Sequence, residues 1–107
     1  MSEPIAALAT APGMGGVAVI RLSGDTVYAI ADQLTRLATP PSQRAPGTFA
    51  YASLYNAAGE VLDDAILLFF RAPKSYTGED TIELHVHGGK IVPQRVLERL
   101  WELGARP

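Results

Sequence analysis

From Thr81 to His87 polar and apolar residues alternate without a break, as T-I-E-L-H-V-H. A period of two specifies a half-buried strand, because successive side chains on an extended backbone point to opposite faces. Ile82, Leu84 and Val86 therefore share one face, and Thr81, Glu83, His85 and His87 share the other. The residues before the strand, Ser75-Tyr76-Thr77-Gly78-Glu79-Asp80, read as a loop after Pro73, with short polar side chains that can bond the backbone. Gly88-Gly89 follows and opens an amphipathic segment. A loop, a strand with a polar face and a glycine hinge into a helix make a place to hold a ligand. The rest of the chain is organised around that place.

Its bounds narrow the chemistry. A chain of 107 residues is one domain by size. With 48% apolar and 19% charged residues it has ordinary globular composition. A formal net charge of −2 gives no overall attraction to a nucleic-acid backbone. The absence of cysteine excludes disulfides, thiolate chemistry and cysteine-based zinc sites, and fits a reducing compartment. Met1 to Ile5 lacks the basic and apolar regions of a signal peptide. The longest apolar run, Ala65 to Phe70, is far too short to span a bilayer. These features predict a soluble, cytoplasmic chain with no membrane association.

In chain order, Ile5 to Thr10 and Val17 to Leu22 read as two strands around the loop Ala11-Pro12-Gly13-Met14-Gly15-Gly16. The loop meets neither standard phosphate motif: Gly16 is followed by Val17 rather than by Lys and Ser/Thr, and a strand rather than a helix comes next. It reads as a glycine turn that lets strands pack closely. Ser23-Gly24-Asp25 opens a helix, capped by Ser23 or Asp25, with Val27, Ile30, Ala31, Leu34 and Leu37 as its apolar stripe. A proline- and glycine-bearing loop, Thr39 to Gly47, leads to strands Thr48 to Tyr55 and Val61 to Phe70 around the turn Asn56 to Gly59. Ala65 to Phe70 is continuously apolar, which predicts the central strand, covered on both faces. Asp63 and Asp64 point to opposite faces and are expected to be solvated. A last helix runs from Gly89 or Lys90 to Leu103, striped by Val92, Val96, Leu100 and Leu103 and widened by Leu97 and Trp101, with Gly104 after it. The order β-β-α-β-β-β-α gives an α+β fold: a mixed sheet of about five strands with two helices.

Two readings of the polar face compete. Glu83, His85 and His87 offer three oxygen and nitrogen donors about 7 Å apart at successive same-face positions, as metal ligands could. They include the only two histidines of the chain, and a metal site would need more ligands or water. The other reading takes Glu83 and Arg21 as contacts for the two ends of an organic ligand. A carboxylate accepts two parallel hydrogen bonds from an amidine-like edge such as that of a pterin, while an arginine clamps an acidic tail such as that of a folate. Arg21 at a strand end could equally snorkel its head to solvent. No nucleophile and base are placed together by spacing, so no catalytic residues are assigned.

Ser75-Tyr76-Thr77-Gly78-Glu79-Asp80, with Glu83 and His87-Gly88-Gly89, resembles the signature of the MnmE (TrmE) family of tRNA-modification GTPases. Ile5 to Thr10, Pro12-Gly13-Met14-Gly15-Gly16 and Arg21-Leu22-Ser23-Gly24 resemble that family's first strand, glycine loop and R-x-S-G element. The two motif groups stand in the family's order, so the resemblance covers essentially the whole chain.

The resemblance implies that residues 1–107 are a tetrahydrofolate-binding and dimerisation domain, similar in fold to the folate domain of aminomethyltransferases. It implies a bound formyl- or methylene-tetrahydrofolate contacted by Arg21 and Glu83, and it leaves His85 at a position where the family pattern is open. It also implies a homodimer and a parent enzyme whose helical domain and G domain, with GTP, Mg and K, are absent here. The family's parent acts with an FAD-containing partner of the MnmG (GidA) type to add an aminomethyl-type group to the wobble uridine of tRNA. No P-loop occurs in this sequence, so no GTP chemistry is expected of it. The chain stops at Gly104-Ala105-Arg106-Pro107, short of a further stretch that contributes a lysine to the family's folate pocket. The alternative is a dimerisation module without functional folate binding.

Overall fold

The structure, a computed structural model, describes residues 3–10, 15–75 and 77–107. Five strands form one sheet: β1 (Ile5–Leu8), β2 (Val17–Ser23), β3 (Phe49–Tyr55), β4 (Val61–Phe70) and β5 (Thr81–His87). Helix α1 (Val27–Leu34) links β2 to β3 through a short 3-10 turn at Pro41–Gln43, and α2 (Ile91–Glu102) follows β5. The strand order is β1-β2-β5-β4-β3. The chain crosses by α1 from β2 to the far edge, and β5 returns to fill the gap. All four strand pairings are antiparallel. The expected mixed character reduces, among the described residues, to one parallel bridge between Ile5 and Arg106.

Strand alternation sorts the sheet into two faces. Ala18, Ile20 and Leu22 of β2, Ile82, Leu84 and Val86 of β5, and Ala65, Leu67 and Phe69 of β4 are buried with Val27, Ile30, Ala31 and Leu34 of α1 and Val96, Leu97 and Leu100 of α2. These residues make the core, and both helices supply their apolar stripes to it. Tyr28 lays its ring beside Phe69, with centroids 6.1 Å apart, and donates its hydroxyl to the Phe70 carbonyl. Trp101 donates its indole N–H to the Ala6 carbonyl and ties α2 to the β1 edge.

The covered central strand is β5, not the Ala65–Phe70 segment. That segment is one strand in from the edge, and its residues alternate: Ala65, Leu67 and Phe69 are buried, while Ile66 is 39% exposed and Leu68 and Phe70 are half-buried. Its continuous apolar run reflects an apolar open face rather than a second covering layer. The first helix also begins later than Ser23 or Asp25. Thr26 occupies its N-cap in a left-handed conformation (φ 66°) with no side-chain capping bond, and the helix closes at Leu34, short of Leu37.

The glycines on either side of β2 and β5 meet. The Gly88 N–H donates to the Gly16 carbonyl at 3.0 Å, and a Cβ on Gly88 would overlap the Gly15 carbonyl oxygen. The close-packing role expected of the glycine turn is therefore visible at Gly15 and Gly16; its residues 11–14 lie outside the described residues.

Candidate functional site

The face of the sheet away from the helices carries the polar residues. One row of it crosses all five strands in register: Ala7, Arg21, Glu83, Leu68 and Phe49. Directly opposed residues on antiparallel strands lie close enough for their side chains to bond. Here the Arg21 Nη2 donates to Glu83 Oε2 at 3.1 Å, with the side chains 30% and 19% exposed. The pair joins residues 62 positions apart in sequence.

The two residues expected to grip a ligand are thus brought together. A folded Arg21–Glu83 pair does not stand at opposite ends of a ligand; a molecule using both would meet them side by side. Glu83 holds a second partner that sequence reasoning set aside. His85 Nε2 lies 3.2 Å from Glu83 Oε1, so the carboxylate is held through one oxygen by each neighbour. The signal for this was present in the two-residue spacing that puts both side chains on one strand face.

Beside Arg21 the loop before β5 folds over the strand ends. Ser23 Oγ lies 3.1 Å from Thr77 Oγ1, and Thr77 Oγ1 lies 2.9 Å from Thr81 Oγ1. Thr81 is 1% exposed, and its hydroxyl also reaches the Glu79 carbonyl, so this buried polar group is satisfied. Ser75 Oγ donates to the same Glu79 carbonyl, and Asp80 accepts from the Ala72 N–H at 2.9 Å while its carbonyl accepts from Gly24. Each Ser, Thr and Asp of the described motif is spent on shaping this loop. Tyr76 lies outside the described residues. The result is a cleft of about 320 Å³ with a floor of Ile5, Ala7 and Leu8 and a polar wall of Arg21, Ser23 and Thr77. A second hollow of about 250 Å³ is bounded by Val17, Tyr51, Ile66, His85 and His87, so Arg21 borders one hollow and His85 the other, while Glu83 lines neither.

The metal reading finds a different geometry. His87 turns to Asp63, whose Oδ1 lies 2.7 Å from Nδ1 and whose Oδ2 accepts the His87 N–H at 2.8 Å. His85 and His87 therefore serve separate carboxylates. Among the described residues no group of three or more His, Cys, Asp or Glu could hold a metal ion. Asp63 is not solvated as expected, since its side chain is only 10% exposed and ends the β5 ladder, whereas the exposed Asp64 accepts from Ser53 Oγ at 2.6 Å. The two carboxylates do point apart, as adjacent strand residues must.

Fold and site together define an α+β domain with one sheet face packed by helices and the other carrying an ordered polar cluster between two hollows. The sequence matches the family described as GTP-binding protein TrmE N-terminus over residues 4–107. It is 47% identical over 102 residues to the tRNA modification GTPase MnmE of Acinetobacter baylyi, covering 95% of this chain and 21% of that protein. It is 48% identical over 103 residues to the MnmE of Alkalilimnicola ehrlichii (96% and 22%) and 50% identical over 102 residues to that of Neisseria meningitidis (95% and 22%). This chain belongs to the TrmE (MnmE) family and corresponds to its N-terminal domain. It spans about a fifth of the length of the curated relatives it matches. No helix among the described residues is long and apolar enough to cross a membrane.

Proposed function

We propose that residues 1–107 bind a one-carbon tetrahydrofolate, as formyl- or methylene-tetrahydrofolate, on the open sheet face and pair with a second copy. The observation that carries the folate reading is the Glu83 carboxylate, fixed on that face between two donors. An ionised carboxylate offers roughly four lone-pair sites and no donor. Arg21 and His85 take one on each oxygen, which leaves one per oxygen for the ring N–H and exocyclic amino group of a pterin. Arg21 adds a permanent cation for an anionic part of the ligand. The cleft that Arg21 walls with Ser23 and Thr77 can receive the remaining body of such a molecule.

The wider reading follows from the relatives, which are tRNA modification GTPases. In it this domain supplies one-carbon units to a cytoplasmic enzyme that modifies the wobble uridine of tRNA with an aminomethyl-type group. GTP, Mg and K belong to a G domain outside this sequence, and FAD to an MnmG (GidA)-type partner. A second reading, a pairing module without folate, rests on the apolar half of the open face, where Phe49 is 69% and Tyr51 70% exposed. Such a patch calls for a partner whether or not a ligand binds nearby.

Calorimetry with formyl-tetrahydrofolate separates the two. Glu83→Gln keeps the size but replaces one acceptor by an NH₂ that faces a donor. Hydrogen bonds to charged groups contribute about 1.5–3 kcal/mol, so affinity should fall by roughly 10- to 150-fold with native circular dichroism. Equal binding by the folded variant removes Glu83 as the pterin anchor, and absence of binding by the wild type favours the pairing module.

A further inference from the structure

The imidazole of His85 is built into the carboxylate cluster, 3.2 Å from Glu83 Oε1. We infer that His85 is a positioning residue: it sets the plane of the Glu83 carboxylate so that its remaining lone pairs face the ligand. The inference rests on the folate reading for the identity of that ligand, not for the orientation itself.

The geometry is specific. A glutamate at a sheet surface has three rotatable bonds, and one partner on one oxygen leaves the carboxylate free to swing about that contact. Arg21 reaches Oε2 from β2, across the ladder, at 3.1 Å. His85 reaches Oε1 along β5 itself at 3.2 Å. One contact comes from the neighbouring strand and the other from two residues along β5, and they end on different oxygens, so together they restrain the carboxylate at both ends. The proton assignment follows from the acceptor: an ionised carboxylate cannot donate, so His85 Nε2 carries the hydrogen. His85 stands opposite Ile66 in the β4–β5 ladder and borders the hollow that Tyr51 and Ile66 also line. A group held within a small tolerance binds more tightly because less freedom is lost when the ligand arrives.

The bland account is that His85 and Glu83, 32% and 19% exposed, form a partly exposed pair of little consequence. Two substitutions distinguish them. His85→Leu removes the donor. His85→Gln restores one, because the glutamine amide nitrogen lies the same number of bonds from Cα as the histidine Nε2.

Each variant is read in two ways. The first is the carboxylate carbon resonance of Glu83 in ligand-free protein. It should move in His85→Leu and return toward the wild-type position in His85→Gln. The second is affinity for formyl-tetrahydrofolate. It should fall about tenfold in His85→Leu, the order of one charge-assisted hydrogen bond, and recover to within about threefold in His85→Gln. An unmoved resonance in His85→Leu overturns the inference whatever the folate result. So does unchanged affinity in a His85→Leu protein whose wild type binds. Equal weakening in both variants also overturns it, because the imidazole would then touch the ligand itself. A wild-type protein that does not bind the folate defeats the folate reading alone, and the resonance still decides whether His85 orients Glu83.

Discussion

Glu83 and Leu84 are chain neighbours on the central strand and lie in opposite worlds. Leu84 is 0% exposed and packs with Ile20, Leu67 and the helices, while Glu83 stands on the face opposite to the one that α1 and α2 cover. An antiparallel sheet packed on one side ordinarily shows water a polar second side. Here the second side is divided. Toward β1, β2 and β5 it carries Arg21, Ser23, Glu83 and His85; toward β3 and β4 it carries Phe49, Tyr51 and Ile66, at 69%, 70% and 39% exposure. The covered face specifies the fold, and the open face is left with chemistry that folding alone does not use. The polar half suits a ligand, and the apolar half suits a protein surface.

The largest effect should come from the covered face. Phe69 is fully buried beside Tyr28, and Phe69→Ala would leave a cavity between α1 and the sheet. Such truncations cost about 3–5 kcal/mol, against a total of about 5–15 kcal/mol for a domain. Urea unfolding should show that loss. A cost below about 1 kcal/mol would mean that the helices do not press on this face as described.

The next effect tests the seam that joins the two strands of the site. Gly88→Ala puts a methyl group against the backbone of Gly15 and Gly16, where neither partner is a side chain that can swing away. Overpacking of this kind costs about 1–3 kcal/mol. The β2–β5 register should slip locally, and amide exchange at Val17 and His87, which face each other, should speed up. Unchanged exchange would show that the glycine contact is dispensable.

Much of this was legible in the sequence, and the reasons for the rest are physical. Thr81–His87 showed its two faces directly, because alternation is a local property of the strand. The Ala65–Phe70 run misled because hydrophobicity alone does not distinguish a face covered by helices from an apolar face that awaits a partner. Thr26 was passed over at the α1 start because nothing in its side chain advertises a left-handed backbone. Arg21 and Glu83 read as contacts for the two ends of one ligand, whereas their direct contact depends on the β2–β5 register, which is settled by long-range packing rather than by either segment. His85 was discounted on its motif position although its spacing from Glu83 already put the two side chains on one face.

A smaller effect concerns the way α1 is fastened to the covered face. Burial raises the pKa of Tyr28, with the Arg71 guanidinium stacked 3.8 Å from its ring pulling the other way. A phenol whose pKa is raised on folding supports the fold fully below its ordinary value near 10, and that support is lost as pH rises through the folded value. Tyr28→Phe should therefore remove about 0.5–1.5 kcal/mol near neutrality, through the lost bond to the Phe70 carbonyl. It should also flatten the decline of stability above pH 10. Parallel alkaline limbs for the two proteins would place the titration elsewhere.

The smallest effect on stability, and the sharpest contrast with Phe69, is expected from Tyr51. Both are aromatic residues on neighbouring strands, but Tyr51 lies on the open face with 70% of its surface in water. Its removal takes little from the folded monomer, so Tyr51→Ser should change the unfolding free energy by no more than about 0.5 kcal/mol. If the apolar half of the open face joins two copies, the same substitution should act on association instead. Exposed aromatic anchors of this kind commonly contribute 1 kcal/mol or more to an interface, which corresponds to a dimer dissociation constant raised about fivefold or beyond. Sedimentation across a concentration series reads that shift while denaturation reads the monomer. A variant that dimerises as well as the wild type would leave Phe49, Tyr51 and Ile66 without the proposed role. A large loss of stability in the monomer would instead mean that the open face contributes to the fold itself, and the division between the two faces would fail.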